Sequence, residues 1–215
     1  MVNEVISVVI GYLLGSIPSA YIAFRLIKGK DIRQIDGSNV GAHYAYTEVG
    51  RGVGIAVGIF DVGKGIAAVA IAYWLLDVPL FEPQLFVLLA GVAAVVGHIW
   101  SIYLKFSGGR GLATTIGVLA ILVPRELLIV FAITIILIAI THNAILSVSI
   151  SLISVPLSAW WLEKSGLLVT FSIILLLIVI VHFLPTARAA IVKAGSRENL
   201  FNELLRRDRN KREEK

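Results

Sequence analysis

The sequence contains no cysteine. That removes disulfide bridges, thiolate nucleophiles and cysteine-ligated metals from consideration. Histidine is scarce too: His43, His98, His142 and His182 stand far apart, and there is no His-Glu-x-x-His pair on one helix turn. Neither a metal nor an organic cofactor is indicated, because no ligand cluster and no nucleotide-binding motif occurs. Charge is the third shortage. Only 15% of the 215 residues are charged, against 58% hydrophobic, and mean hydropathy is +0.90. A soluble domain carries about 25% charged residues. The net charge of +5 raises the possibility of a nucleic-acid partner. The cations, however, fall in alternate loops and the C-terminal tail, a distribution that follows membrane topology rather than a polyanion, so no nucleic acid is expected.

What is abundant is long apolar runs. Seven segments are expected, at about 4–24, 53–76, 84–104, 112–124, 126–141, 144–162 and 166–184. The fourth and fifth are short and meet at Pro124-Arg125-Glu126, which reads as a tight hairpin of tilted helices or as a broken helix. The first run lacks a basic leader before it and is as long as a spanning helix, so it reads as a retained span rather than a signal peptide. The expected fold is therefore all-α, an integral membrane bundle of seven transmembrane helices over residues 1–185. Residues 186–215 form a basic tail. Loops 25–52 and 105–111 and the tail carry sixteen cations, whereas the opposite loops carry Arg125 and Lys164 only. That bias puts the N-terminus outside and the C-terminus in the cytoplasm. His182, followed by Pro185, reads as the cap of the final span. In the tail, Leu200, Leu204 and Leu205 cluster on one face of a short amphipathic stretch that would lie on the inner membrane surface.

Chemistry is expected where polarity interrupts this pattern. Lys105-Phe-Ser-Gly-Gly-Arg-Gly-Leu-Ala-Thr-Thr115 is a glycine-rich turn with two cations ahead of an apolar helix. Gly108, Gly109 and Gly111 permit left-handed backbone and close approach. Successive N–H groups, a helix N-terminus near Gly111 and the guanidinium of Arg110 together suit a phosphate. The plainer alternative is a flexible connector whose cations mark the cytoplasmic side. A second turn, Gly37-Ser38-Asn39-Val40-Gly41, falls on the same face by the charge pattern. In the second span Asp61 and Lys64 lie at i, i+3 and can pair; a structural ion pair is as good an account of them as a site. His98 stands about two turns before the Gly-rich loop, where it can face the same place or serve as a core histidine beside Trp100. His43 and Glu48 have the spacing of a His-x4-acid signature, but the context speaks for coincidence.

Taken in order, these residues resemble the bacterial acyl-phosphate:glycerol-3-phosphate acyltransferases (the PlsY family). The similarity runs through Gly11-Tyr-Leu-Leu-Gly-Ser-Ile-Pro18, Asp31-Ile-Arg33, Asn39-Val-Gly-Ala42, Asp61-x-x-Lys-Gly65, Gly97-His98, Phe106-x-Gly-Gly-Arg-Gly-x-Ala113 and, more weakly, Arg197-Glu-Asn-Leu200. The resemblance implies a seven-helix membrane enzyme with a cytoplasmic active site in the prokaryotic plasma membrane. It implies transfer of a fatty acyl group from acyl phosphate to the sn-1 hydroxyl of glycerol 3-phosphate, releasing lysophosphatidic acid and phosphate. Its site residues carry over as Ser38, Asn39, Lys64 and His98 in catalytic roles. Gly41, Ser107, Gly108, Gly109, Arg110, Gly111, Arg197 and Asn199 would hold the substrates' phosphate groups. The chain departs from the family pattern at several places: Gly37 stands where a serine is usual, His43-Tyr44 where Thr-Asn is usual, Thr47 for an arginine, Arg110 for a lysine and Ser196 for a histidine. Those departures leave open a divergent paralogue with another acceptor or without catalysis. A small anion carrier is the reading from a different class.

Overall fold

A computed structural model describes residues 1–29, 31, 41–82 and 84–194, with only the backbone described from 183 onward. Every regular element among these residues is helical: α1 (Val2–Ser16), α2 (Ser19–Lys28), α3 (Ala42–Glu48), α4 (Arg51–Leu76), α5 (Leu85–Ile99), a 3-10 turn (Ile102–Leu104), α6 (Leu112–Leu122), α7 (Pro124–Thr141), α8 (Ala144–Ser151), α9 (Ser154–Leu162) and α10 (Gly166–Ala194). Five stretches are long and apolar enough to cross a membrane: Val2–Lys28, Arg51–Leu76, Leu85–Leu104, Pro124–Thr141 and Ala144–Leu162. Two shorter apolar helices, Leu112–Leu122 and Gly166–His182, accompany them. The protein is a multi-pass, all-helical membrane protein. Large apolar side chains such as Leu128, Ile135, Leu157 and Trp160 are exposed on the spans, as a lipid-facing surface requires.

The apolar segments fall where the hydropathy places them, with three differences. The first span is not one helix. Pro18 has no N–H and its ring crowds the preceding turn, and here the helix breaks; α1 ends on the Ile17 N–H to Leu14 carbonyl bond of 3.2 Å, and the chain restarts as α2. The segment 144–162 is likewise interrupted, at Leu152-Ile153. At the other end, the last helix does not stop at His182: α10 runs through Pro185 to Ala194, leaving the carbonyl one turn before the proline without its usual donor. At Pro124-Arg125-Glu126, expected as a tight hairpin or a broken helix, α6 and α7 are separate helices, and Pro124 is the first residue of α7, the helical position where a missing N–H costs nothing.

The chain divides into two compact units, Met1–Pro124 and Arg125–Lys215. In the first, helices meet through glycine. A Cβ on Gly11 or Gly15 of α1 would strike the backbone of Ala90 or Ala94 of α5, and one on Gly97 of α5 would strike the Tyr12 carbonyl. Gly117 of α6 sits against the Val62 carbonyl of α4, and Gly65 of α4 against that of Thr114. Small residues bring backbones this close where lipid offers no hydrophobic drive between helices. Val69, Val87, Val95, Ile99, Val118 and Leu119 fill the remaining core. A smaller cluster of Ala20, Phe24, Ala45, Val57 and Leu104 seats α3 against α2 and α4, with the Phe24 and Tyr44 rings 6.0 Å apart. The second unit uses hydroxyls instead. Thr134 of α7 donates to Ser151 Oγ of α8 at 2.8 Å, and Thr141 and Ser147 are bonded at 2.9 Å.

Candidate active site

The break at Pro18 is the starting point of the site. A broken helix leaves carbonyls without their usual N–H partners, and two side chains from elsewhere take them. Ser101 Oγ donates to the Ser16 carbonyl at 2.5 Å. Lys64 Nζ donates to the Ile17 carbonyl at 3.0 Å. Lys64 also meets Asp61 Oδ1 at 2.9 Å, so the i, i+3 pair expected on α4 is formed. Both are buried inside a span, Asp61 at 1% exposure and Lys64 at 5%, where unpaired charge is costly. The same Asp61 oxygen accepts from Ser19 Oγ at 2.7 Å and lies 3.6 Å from His98 Nδ1. One carboxylate oxygen thus gathers groups from α2, α4 and α5.

The Gly-rich turn closes over this cluster. The Gly109 N–H donates to the His98 carbonyl at 3.1 Å. A Cβ on Gly108 would collide with the carbonyls of His98 and Ile99, so Gly108 is needed for close approach. Left-handed backbone is found elsewhere in the turn than expected: Gly111 has φ 79°, but the other two positive φ values, 55° and 61°, belong to Lys105 and Phe106. The turn's donors are also partly used. The N–H groups of Phe106, Ser107 and Gly109 bond to the carbonyls of Ser101, Leu104 and His98. The donors that remain for an anion are chiefly those of the first turn of α6, which begins at Leu112 with Gly111 as its cap. Arg110, half-buried, stands next to that helix end.

Gly41, the last residue of the second glycine stretch, comes to the same place. A Cβ on Gly41 would lie 3.9 Å from the Gly109 Cα. Gly41 and Gly109, far apart in sequence, are therefore adjacent. Between the α1–α2 break, Lys64, His98, Ser101, Leu104 and Gly108-Gly109 runs a small cleft. Ser107 is exposed at its edge of the turn. Of the residues predicted from sequence, Gly41, Lys64, His98, Gly108 and Gly109 are brought together, with Ser107, Arg110 and Gly111 on the same turn. Ser38, Asn39, Arg197 and Asn199, with the amphipathic stretch in the tail, lie outside the described residues. His43 and Glu48 are both exposed on α3, and five residues' spacing does not put them on one helix face. Sequence reasoning missed Ser16, Ile17, Ser19 and Ser101. The available signal was Pro18 inside an apolar run, which predicts freed carbonyls. No group of three or more potential metal ligands occurs among the described residues.

Comparison with known proteins places the chain in a family. The family model described as glycerol-3-phosphate acyltransferase matches residues 5–191. Glycerol-3-phosphate acyltransferase 1 of Dehalococcoides mccartyi is 40% identical over 200 residues, covering 91% of this chain and 94% of its own. Glycerol-3-phosphate acyltransferase of Geotalea daltonii is 33% identical, covering 94% of this chain and 99% of its own. Among solved structures, the glycerol 3-phosphate form of PlsY (YgiH), an integral membrane glycerol 3-phosphate acyltransferase, superposes with a TM-score of 0.79 at 24% identity, over 88% of this chain and 92% of that one. That last likeness is one of fold. The family match spans both glycine turns, the Asp61–Lys64 pair and His98, and the chain belongs to the glycerol-3-phosphate acyltransferase family.

Proposed function

We propose that this protein transfers a fatty acyl group from acyl phosphate to the sn-1 hydroxyl of glycerol 3-phosphate, giving lysophosphatidic acid and inorganic phosphate for phospholipid synthesis. The observation that carries the reading is the approach of Gly41 to Gly109, with Gly109 lining a polar cleft that also holds Lys64 and His98. An acyl phosphate is a mixed anhydride and is already activated, so no covalent enzyme nucleophile is required. Positioning and charge stabilisation suffice. Arg110, the first turn of α6 and Lys64 would hold phosphate oxygens. Ser38 and Asn39 would orient donor or acceptor, and Arg197 and Asn199 would complete the acceptor site. Among the described residues Lys64 has two hydrogen-bond partners, which leaves an ammonium proton for substrate.

The five long spans and two shorter apolar helices would supply seven crossings. The loop charges would place the N-terminus outside and the site and tail in the cytoplasm of a prokaryotic cell. The test is a turnover assay on the purified protein in lipid with palmitoyl phosphate and glycerol 3-phosphate, following lysophosphatidic acid and phosphate together. Formation of both in equal amounts supports the reading. Acyl-phosphate consumption without lysophosphatidic acid indicates another acceptor. Movement of unchanged anion across the bilayer indicates a carrier, and no activity of either kind a non-catalytic paralogue.

A further inference from the structure

We infer that the outward face of α2 and of the neighbouring 3-10 turn is a docking surface for anionic phospholipid headgroups of the surrounding bilayer, and that those headgroups steady one wall of the cleft. The surface stands without the acyl-transfer reading; its effect on rate rests on that reading.

The stretch Val2–Lys28 has 27 residues, about 40 Å of helix measured along the chain. The hydrocarbon core of a bilayer is about 30 Å thick, so the end of α2 reaches headgroup level. Ala20 and Phe24 of α2 are buried against the protein. The opposite face carries Ile22 and Leu26, 43% and 80% exposed, with Arg25 beside them and Lys28 in the last turn, both exposed. Such a face suits neither water nor hydrocarbon. It fits the boundary between them, where apolar side chains enter the acyl region and cations meet phosphate.

The 3-10 turn repeats the pattern. Leu104 is buried in one cluster with Ala20 and Phe24, while Tyr103, Lys105 and Phe106 around it are exposed. Over residues 19–28 and 102–106 every charge is positive. None of these three cations has an ion-pair partner among the described residues. The sign complements anionic headgroups, and a cation at such a surface strengthens the association about fivefold.

The layer that this surface belongs to has little else to hold it. The break at Pro18 separates α2 from α1. A cluster of five buried side chains, Ala20, Phe24, Ala45, Val57 and Leu104, joins α2, α3 and the turn to α4. Segments with so few buried apolar contacts open readily, and a ligand that binds only the closed form suppresses the opening. Ser19 and Leu104, from the same two segments, line the cleft. Headgroups that seat the layer therefore keep that wall in place.

The experiment is amide hydrogen exchange over residues 19–28 and 102–106, with the protein in nanodiscs of phosphatidylglycerol or of phosphatidylcholine. Wild type is expected to exchange about fivefold or more slowly in phosphatidylglycerol, a difference that shrinks at high salt. The double variant Arg25→Gln/Lys28→Gln is expected to lose the difference, and Arg125→Gln, a control in the other half, to keep it. Equal exchange of wild type in the two lipids, or loss of the difference in Arg125→Gln as well, overturns the surface. If the double variant does not fold, Lys28→Gln takes its place; it is expected to shrink the difference, and an undiminished difference overturns the assignment. Turnover with palmitoyl phosphate and glycerol 3-phosphate in the same discs is expected to be severalfold higher in phosphatidylglycerol for wild type and equal in both lipids for the double variant. Turnover indifferent to lipid, with the exchange difference intact, overturns the link to the cleft. A protein without turnover in either lipid overturns the acyl-transfer reading instead, and the exchange result still decides the surface.

Discussion

The two halves of the molecule solve one problem in different ways. Helices in lipid gain nothing by hiding apolar surface from one another, so they must interlock or hydrogen-bond. In residues 1–124 they interlock, glycine against backbone, as at Gly15–Ala94 and Gly117–Val62. In residues 125–182 they are joined by hydroxyls, as at Thr134–Ser151, and most serines there also bond to their own helix, as Ser151 does to the Ser147 carbonyl. Backbones in close contact make a rigid frame. A rigid frame can hold a broken first span and a buried ion pair where a mobile one would let water or lipid in. The difference teaches why Lys64, His98 and the Gly-rich turn sit in the first half.

The largest effect is expected at the ion pair. Lys64→Met leaves Asp61 buried without its cation and removes one of the two donors to the Ile17 carbonyl, which keeps the Ser19 N–H. Loss of one partner of a buried pair costs about 3–5 kcal/mol, seen as a lower Tm in detergent together with lost turnover. Gly117→Ala comes next. Its methyl would fall on the Val62 carbonyl, and overpacking of this kind costs about 1–3 kcal/mol, measurable by the same unfolding scan. In the second half, Thr134→Val removes an interhelical bond but leaves Ser151 its own carbonyl acceptor. About 0.6 kcal/mol is expected, and turnover should stay within about twofold of wild type, since neither Thr134 nor Ser151 is among the residues assigned to the site. Smallest is Arg125→Ala. Its 3.6 Å contact with Glu163 is solvent-exposed on the arginine side, and many such pairs contribute nothing measurable. If Thr134→Val proved as damaging as Gly117→Ala, the contrast between the halves would not hold.

The comparison also separates what could be read in the sequence from what could not. Apolar runs located the helices because a lipid-crossing helix is defined by length and composition, both of which are linear. The Asp61–Lys64 pair was legible because i, i+3 on one helix is a local geometry. The partners of Asp61 in Ser19 and His98 were not, since they depend on how α4 packs on α2 and α5. Gly108 was picked out for backbone freedom and for close approach. The fold uses the second, against two carbonyls, and the left-handed positions fall on Gly111, as expected, and on Lys105 and Phe106. The meeting of the Gly41 and Gly109 turns was expected only to the extent that both lay on one side of the membrane. Their adjacency is a product of tertiary packing. Pro18 was read as part of a family pattern rather than as a helix break, which is why the carbonyls of Ser16 and Ile17 went unnoticed.

The most direct test of the account is to compare Arg110→Ala, in the first half's Gly-rich turn, with Thr134→Val in the second, at equal folded protein. The measurement is lysophosphatidic acid formed per molecule per second from palmitoyl phosphate and glycerol 3-phosphate. The account predicts that Arg110→Ala loses about a hundredfold or more, on the scale of removing a donor to developing charge, while Thr134→Val keeps its rate. Equal rates in the two variants would contradict a phosphate-holding site at the glycine turns.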